Sequence, residues 1–121
     1  MRAAADWKDF EVLDTSDGEK LERWGDVTLI RPDPQVLWKT PRGPEWDRAD
    51  ARYLRSSSGG GKWQNYRLKK EQWVIGYKDL RFRISPTGIK HTGLFPEQAV
   101  NWGWFRKTIG EAGRAVRVLN L

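Results

Sequence analysis

The chain has 121 residues, room for one ordinary domain, and its 38% hydrophobic and 31% charged residues suit a soluble globular domain with a modest core. No run approaches the roughly 18 apolar residues of a membrane span. The start, Met1-Arg2-Ala3-Ala4-Ala5-Asp6, lacks the apolar core of a secretion signal. The absence of cysteine excludes disulfides, thiolate zinc sites and a cysteine nucleophile within these residues. A cytoplasmic location, no membrane partner and no metal site are the expectations.

The net charge of +6 divides unevenly. Residues 1–61 hold 10 Lys/Arg against 12 Asp/Glu, and residues 62–121 hold 12 against 4, so the halves carry −2 and +8. A basic half attracts phosphate through Coulomb forces and counterion release. Its alternative is a set of solvated lysines. Eight tryptophans are many for this length. Most are expected to pack, since an indole buries a large apolar area and still needs an N–H partner, although one or two could stack on bases.

In chain order, Phe10 to Leu13 and Lys20 to Ile30 read as strands, with Asp14-Thr15-Ser16-Asp17-Gly18 as turn chemistry between them. The second segment reads as a hairpin turning at Trp24-Gly25-Asp26 and stopped by Arg31-Pro32-Asp33-Pro34. Gln35 to Trp38 suggests a short helical turn. Residues 40–61 combine Pro41, Gly43 and Pro44, a charged middle and Ser56-Ser57-Ser58-Gly59-Gly60-Gly61, the composition of a flexible loop. The glycines are not a phosphate loop, which needs a preceding strand, a following helix and usually a Lys-Ser/Thr pair.

From Lys62 the pattern is regular. Trp63 to Leu68 predicts a strand, and Gln72 to Ile84 predicts a hairpin turning at Lys78-Asp79. Trp73, Ile75 and Tyr77 share one face of its first arm, and Leu80, Phe82 and Ile84 one face of its second. Arg81 and Arg83 take the opposite face, with Lys90 further on; a solvated outer face is the plainer explanation for them.

Ser85-Pro86-Thr87-Gly88 predicts a turn and Ile89 to Gly93 extended chain. Pro96 starts a helix with Glu97 at its positive end. Val100, Trp104, Ile109 and Phe105 form its expected buried stripe, and Gly110 or Gly113 its end. Val116-Arg117-Val118-Leu119-Asn120-Leu121 then reads as a strand entering a parallel sheet. Such a strand needs neighbours: the upstream β-domain, another chain, or residues beyond Leu121. His91, the sole histidine, reads as a local structural residue rather than a general base.

The run from Ser85 to Trp102, with Val116 to Leu121, resembles bacterial class I S-adenosylmethionine-dependent methyltransferases related to the ribosomal RNA large-subunit cytosine-C5 group. Gly18 to Gln35 resembles the N-terminal β-domain of that family. The resemblance implies an α+β chain: a small antiparallel β-rich N-terminal domain over 1–90, concerned with substrate recognition and carrying a flexible loop near 40–61. Residues 91–121 would then begin a truncated, Rossmann-like methyltransferase domain with one helix and the first parallel strand. It further implies S-adenosylmethionine as cofactor, lined or supported by Thr92, Gly93, Phe95, Gln98 and Asn101. The spacing of Gln98 and Asn101 independently puts both amides on one face of a helix start, although ordinary first-turn polar residues would look the same.

The glycine-rich turn, the acidic ribose-binding residue and the cysteine nucleophile of the cytosine-C5 relatives are not among these 121 residues. The expectation is therefore an N-terminal part of a methyltransferase that is inactive alone. Its acceptor would be RNA, as in ribosomal RNA processing, held by a basic face of Lys62, Arg67, Lys69, Lys70, Arg81 and Arg83. Two alternatives stay open: a non-catalytic β-rich nucleic-acid-binding module, and a dimer pairing Val116–Leu121 between chains.

Overall fold

The computed structural model of the chain describes residues 3–87 and 90–121, so Gly88 and Ile89 of the expected turn and extended run lie outside the described residues. The chain is mixed α+β and divides into two compact units, Asp6–Leu94 and Met1–Ala5 with Phe95–Leu121.

The larger unit holds a five-stranded sheet in sequential order: β1 (Phe10–Ser16), β2 (Glu19–Trp24), β3 (Val27–Pro32), β4 (Ala51–Arg55) and β5 (Gly61–Asn65). Strands β1, β2 and β3 form an antiparallel meander. Its first turn, Asp17-Gly18, has φ of 48° and 76°, the left-handed pair that a two-residue hairpin turn favours. The expected linker from Asp14 is thus half strand. Asp14, Thr15 and Ser16 pair with Leu21, Lys20 and Glu19 after a register shift beyond Val12. Ser16 is buried, and its Oγ donates to the Thr40 carbonyl at 2.7 Å. The second turn falls at Gly25-Asp26 as the pattern indicates.

No helix forms over Gln35 to Trp38. After one turn at Asp33, where the Val36 N–H donates to the Asp33 carbonyl, the chain runs back along β1. The Asp17 N–H donates to the Trp38 carbonyl, and the Trp38 indole N–H to the Thr15 carbonyl at 3.0 Å.

Of residues 40–61, expected as a flexible loop, Trp46, Ala49, Ala51 and Tyr53 are instead buried, whereas Ser56 to Gly60 form an exposed turn. A 3-10 turn, Pro44–Arg48, buries Trp46 with Leu21, Ile30 and Ala49. Strand β4 follows, parallel to β3 and antiparallel to β5. Two of the charges that suggested a loop, Arg52 and Asp50, are tied into this sheet. Arg52 grips Glu19 through Nε at 2.8 Å and Nη2 at 2.6 Å. Asp50 clamps the β3–β4 junction: its carboxylate accepts the Thr28 N–H, and its own N–H donates to the Thr28 carbonyl. Gly61 is required by close approach, because a Cβ there would lie 2.2 Å from the Leu54 carbonyl oxygen.

A second sheet, β6 (Trp73–Tyr77) and β7 (Leu80–Ile84), is the expected hairpin, turning at Lys78-Asp79. Trp73, Ile75, Tyr77 and Ile84 are buried, whereas Arg81 and Arg83 are exposed. The hairpin packs on the meander through aromatic rings. The Trp73 indole donates to the Trp24 carbonyl at 2.9 Å, and Trp7 lies 4.6 Å from Tyr77, centroid to centroid. Phe10 meets Trp24 edge-on at 4.7 Å. Four tryptophans, Trp7, Trp24, Trp46 and Trp73, are therefore core, as indole burial predicts.

In the smaller unit a 3-10 turn, Pro96–Gln98, leads into α1 (Ala99–Ala112), which Gly113 ends in the left-handed conformation at φ 62°. The expected stripe is not buried: Trp104, Phe105 and Ile109 are each at least 40% exposed and Val100 is half-buried. Val116–Leu121 pairs with no strand among the described residues, and Leu119 is 79% exposed. The expected parallel strand is thus absent from this structure. A strand of that kind exists only by hydrogen bonding to flanking strands, and its apolar character alone cannot form it. None of the helices among the described residues is long and apolar enough to cross a membrane.

Candidate functional site

The two groups of site residues singled out in the sequence take different positions. Thr92 and Gly93 end the larger unit, while Phe95, Gln98 and Asn101 open the smaller. Thr92 is 1% exposed, and its hydroxyl is buried with no hydrogen-bond partner among the described residues. An orphaned buried hydroxyl costs about 1–3 kcal/mol, an unusual expense for a folded domain to carry without a use. The Thr92 carbonyl accepts the Ser85 N–H, and the His91 carbonyl accepts both the N–H and the hydroxyl of Thr87. This ladder ties the segment after β7 back on itself. Gly93 adopts φ 91°, open to glycine and strained for other residues.

Gln98 and Asn101 do share a face. The Asn101 Nδ2 donates to the Gln98 Oε1 at 2.7 Å, and both side chains are exposed. This bond uses one acceptor and one donor of the pair. It leaves the Gln98 amide nitrogen to donate and the Asn101 oxygen to accept. Phe95 is half exposed at the mouth of the 3-10 turn, where its carbonyl accepts the Gln98 N–H at 3.0 Å.

All six expected RNA-contacting cations, Lys62, Arg67, Lys69, Lys70, Arg81 and Arg83, are exposed, but they lie on three elements and are not equally available. Lys62 is on β5 opposite Leu54. Lys69 and Lys70 line a groove of about 570 Å³ with Asn65, Leu68, Glu71, Ser85 and Pro86. Lys70 is paired with Asp26 at 2.8 Å, and that hydrogen bond holds the Asp26 carboxyl below its ordinary value. Arg67 donates to the Asp47 carbonyl, and Arg81 folds back on the Lys78 and Leu80 carbonyls. Arg83 stands beside exposed Val74 on the outer face of the hairpin. Among the described residues Lys62, Lys69 and Arg83 make no ion pair.

A hollow of about 340 Å³ between Ile30, Trp46, Tyr66, Arg42 and Arg52 went unpredicted. The Arg42 guanidinium lies 4.0 Å above the Trp46 ring, and Arg42 and Arg52 both bond Glu19. Both arginines thus share one buried carboxylate. The signal was hidden because the segment carrying Arg42, Trp46 and Arg52 reads as loop.

No family model matches the chain, and no curated protein matches it. Among solved structures it is similar to the crystal structure of the SAM-dependent methyltransferase from Agrobacterium tumefaciens, with 34% sequence identity and a TM-score of 0.85. The likeness covers 95% of this chain, and this chain spans 37% of the length of that protein.

Proposed function

We propose that the chain is the N-terminal part of an S-adenosylmethionine-dependent methyltransferase whose acceptor is RNA. One observation carries the first half of this reading: the shared fold and 34% identity with a SAM-dependent methyltransferase over 95% of the chain. In this reading Val116–Leu121 is the opening strand of a donor-binding sheet, and exposed Val118 and Leu119 are side chains such a sheet would cover.

The residues at hand fit the polar end of the donor. S-adenosylmethionine, when bound, supplies an electrophilic methyl group on a sulfonium. The Gln98 amide nitrogen suits its carboxylate and the Asn101 oxygen suits its ammonium, given the bond that orients the two amides. The role of these residues is to bind and orient, the share of such chemistry that falls to the protein. RNA as acceptor is supported by the +8 half and by exposed Lys62, Lys69 and Arg83. The narrower placement, beside the ribosomal RNA cytosine-C5 group, rests on the resemblance of Ser85–Trp102, Val116–Leu121 and Gly18–Gln35, of which the His91-to-Trp102 run is the most specific part.

The test is calorimetric titration of the polypeptide encoded by the whole reading frame with S-adenosylhomocysteine. Saturable binding that is lost in Gln98→Ala/Asn101→Ala supports the reading. A polypeptide that binds RNA but no S-adenosylhomocysteine would make the chain a non-catalytic nucleic-acid module instead.

A further inference from the structure

Lys20, Arg31 and Arg55 share one face of the five-stranded sheet, Lys90 comes beside Arg31 from the segment after β7, and only two carboxylates accompany the four. Lys20 on β2 and Arg31 on β3 are register partners. Arg31 reaches further, and its Nη1 donates to the Lys90 carbonyl at 3.3 Å. Arg55 closes β4 two places beyond Tyr53 and four beyond Ala51, on the face those residues share. That face is bound to the segment carrying Lys90: Tyr53 packs edge-on against Trp63 at 5.5 Å, and the Trp63 indole donates to the Thr87 carbonyl at 2.7 Å.

The carboxylates are already engaged. Glu22 is locked in a two-pronged bond with Arg31 and lies 3.7 Å from Lys20, and Asp33 lies 3.9 Å from Lys20. Arg55 and Lys90 make no ion pair among the described residues, so the cluster keeps two uncompensated positive charges. Burial, then repulsion from Arg55, Lys20 and Arg31, pushes the Lys90 ammonium below the ordinary lysine value, with only Asp33 opposing. Elsewhere on this unit Arg42 and Arg52 each pair with Glu19, and Lys70 with Asp26, so every one of these cations has a carboxylate partner, which Arg55 and Lys90 lack among the described residues. Folding gains nothing from crowding like charges, whereas an oxyanion would relieve the repulsion and meet an arginine fork and an ammonium together.

We propose that Lys20, Arg31, Arg55 and Lys90 form a phosphate-binding site, separate from the six basic residues above, that takes a backbone phosphate of the RNA acceptor. The RNA as source of the phosphate rests on the proposed function; the phosphate chemistry does not. Arg55 and Lys90 supply the free charge, and Glu22 holds Arg31 in place beneath them.

The experiment compares wild type, Arg55→Gln/Lys90→Gln and, as a control removing equal charge elsewhere, Lys8→Gln/Lys39→Gln. Each is titrated against a fluorescein-labelled 12-nucleotide oligouridylate across a potassium chloride series, and melted with and without inorganic phosphate. The site predicts that the first double variant binds RNA with a log–log salt slope shallower by about 1.4, about 0.7 per lost cation, while the control changes less. It also predicts a phosphate-dependent rise in melting midpoint that this variant alone lacks. Wild-type RNA binding that the first variant leaves unchanged, or that both variants weaken equally, overturns the site while sparing the RNA reading. Absence of RNA binding with a phosphate response lost in the variant keeps the site and removes RNA as its ligand. Absence of both responses overturns the site.

Discussion

Arg31 and Glu22 form a two-pronged ion pair inside the sheet: Nε meets Oε1, and Nη2 meets Oε2 at 2.9 Å. Glu22 is 1% exposed and Arg31 7%. The Trp24 indole donates to the same Oε1 at 3.3 Å, and the Arg31 guanidinium lies 5.1 Å from the Trp24 ring centroid. Removing one partner of such a pair strands a buried charge, at a cost of about 3–5 kcal/mol. Glu22→Leu should therefore lower the unfolding free energy by about that amount in urea titration. Glu22→Leu/Arg31→Met should recover most of it, because neither charge is then buried. A double variant no more stable than the single would contradict this account.

Gly61 faces backbone rather than a yielding side chain. A methyl group there meets the Leu54 carbonyl oxygen and the Tyr53 ring at 2.2 and 2.8 Å, so Gly61→Ala must displace β4 from β5. Overpacking of this kind costs about 1–3 kcal/mol. Gly59→Ala meets no atom within 4 Å, and its penalty comes only from φ 95°. Thermal melts of both should show the larger loss at Gly61; the reverse order would mean that the glycine run serves mobility and not strand pairing.

Lys90 carries a pH signature. Its folded-state value lies below the ordinary 10.5, first through burial and then through Arg55, Lys20 and Arg31. At neutral pH the residue is charged in both states, and the full penalty falls on the fold. As pH rises through the lowered value the folded state releases its proton first, and by the ordinary value the penalty is gone. The unfolded chain binds more protons in that window, so this group makes stability rise with pH. Lys90→Gln should thus be more stable than wild type at about pH 7, with the advantage fading towards about pH 11. A constant difference across that range would rule out the charge as its cause.

The amide pair separates binding from stability. Gln98 and Asn101 are exposed and bond chiefly each other, so Gln98→Ala should move unfolding free energy by no more than about 0.5 kcal/mol. The same substitution in the whole polypeptide should weaken S-adenosylhomocysteine binding at least about tenfold, a loss of about 1.4 kcal/mol. A stability loss without a binding loss would make the pair a helix-start device only.

What the sequence disclosed depended on whether a pattern was local. The β6–β7 hairpin was legible because Trp73, Ile75 and Tyr77 alternate with exposed residues and the turn is two residues long. The Gly25-Asp26 turn even sets the register that brings Lys20 opposite Arg31. Strand β4 was not legible, since Arg52 and Arg55 look like loop charges until Glu19, 33 residues from Arg52, is known to sit beside it. Parallel pairing with β3 leaves no turn signal between the two strands. Val116–Leu121 failed in the opposite sense: its β-branched run states a preference that only neighbouring strands can realise. Of the site, the Gln98–Asn101 pairing was readable from spacing, whereas the Arg55–Lys90 cluster needed the β4 topology.

The decisive measurement is tritium transfer from labelled S-adenosylmethionine to total RNA, catalysed by the polypeptide that the whole reading frame encodes. Label should appear in RNA that ribonuclease releases, reduced in Arg55→Gln/Lys90→Gln and absent in Gln98→Ala/Asn101→Ala. Label appearing in protein and not in RNA would contradict the acceptor, and no label in any acceptor from a folded polypeptide would contradict the methyltransferase reading itself.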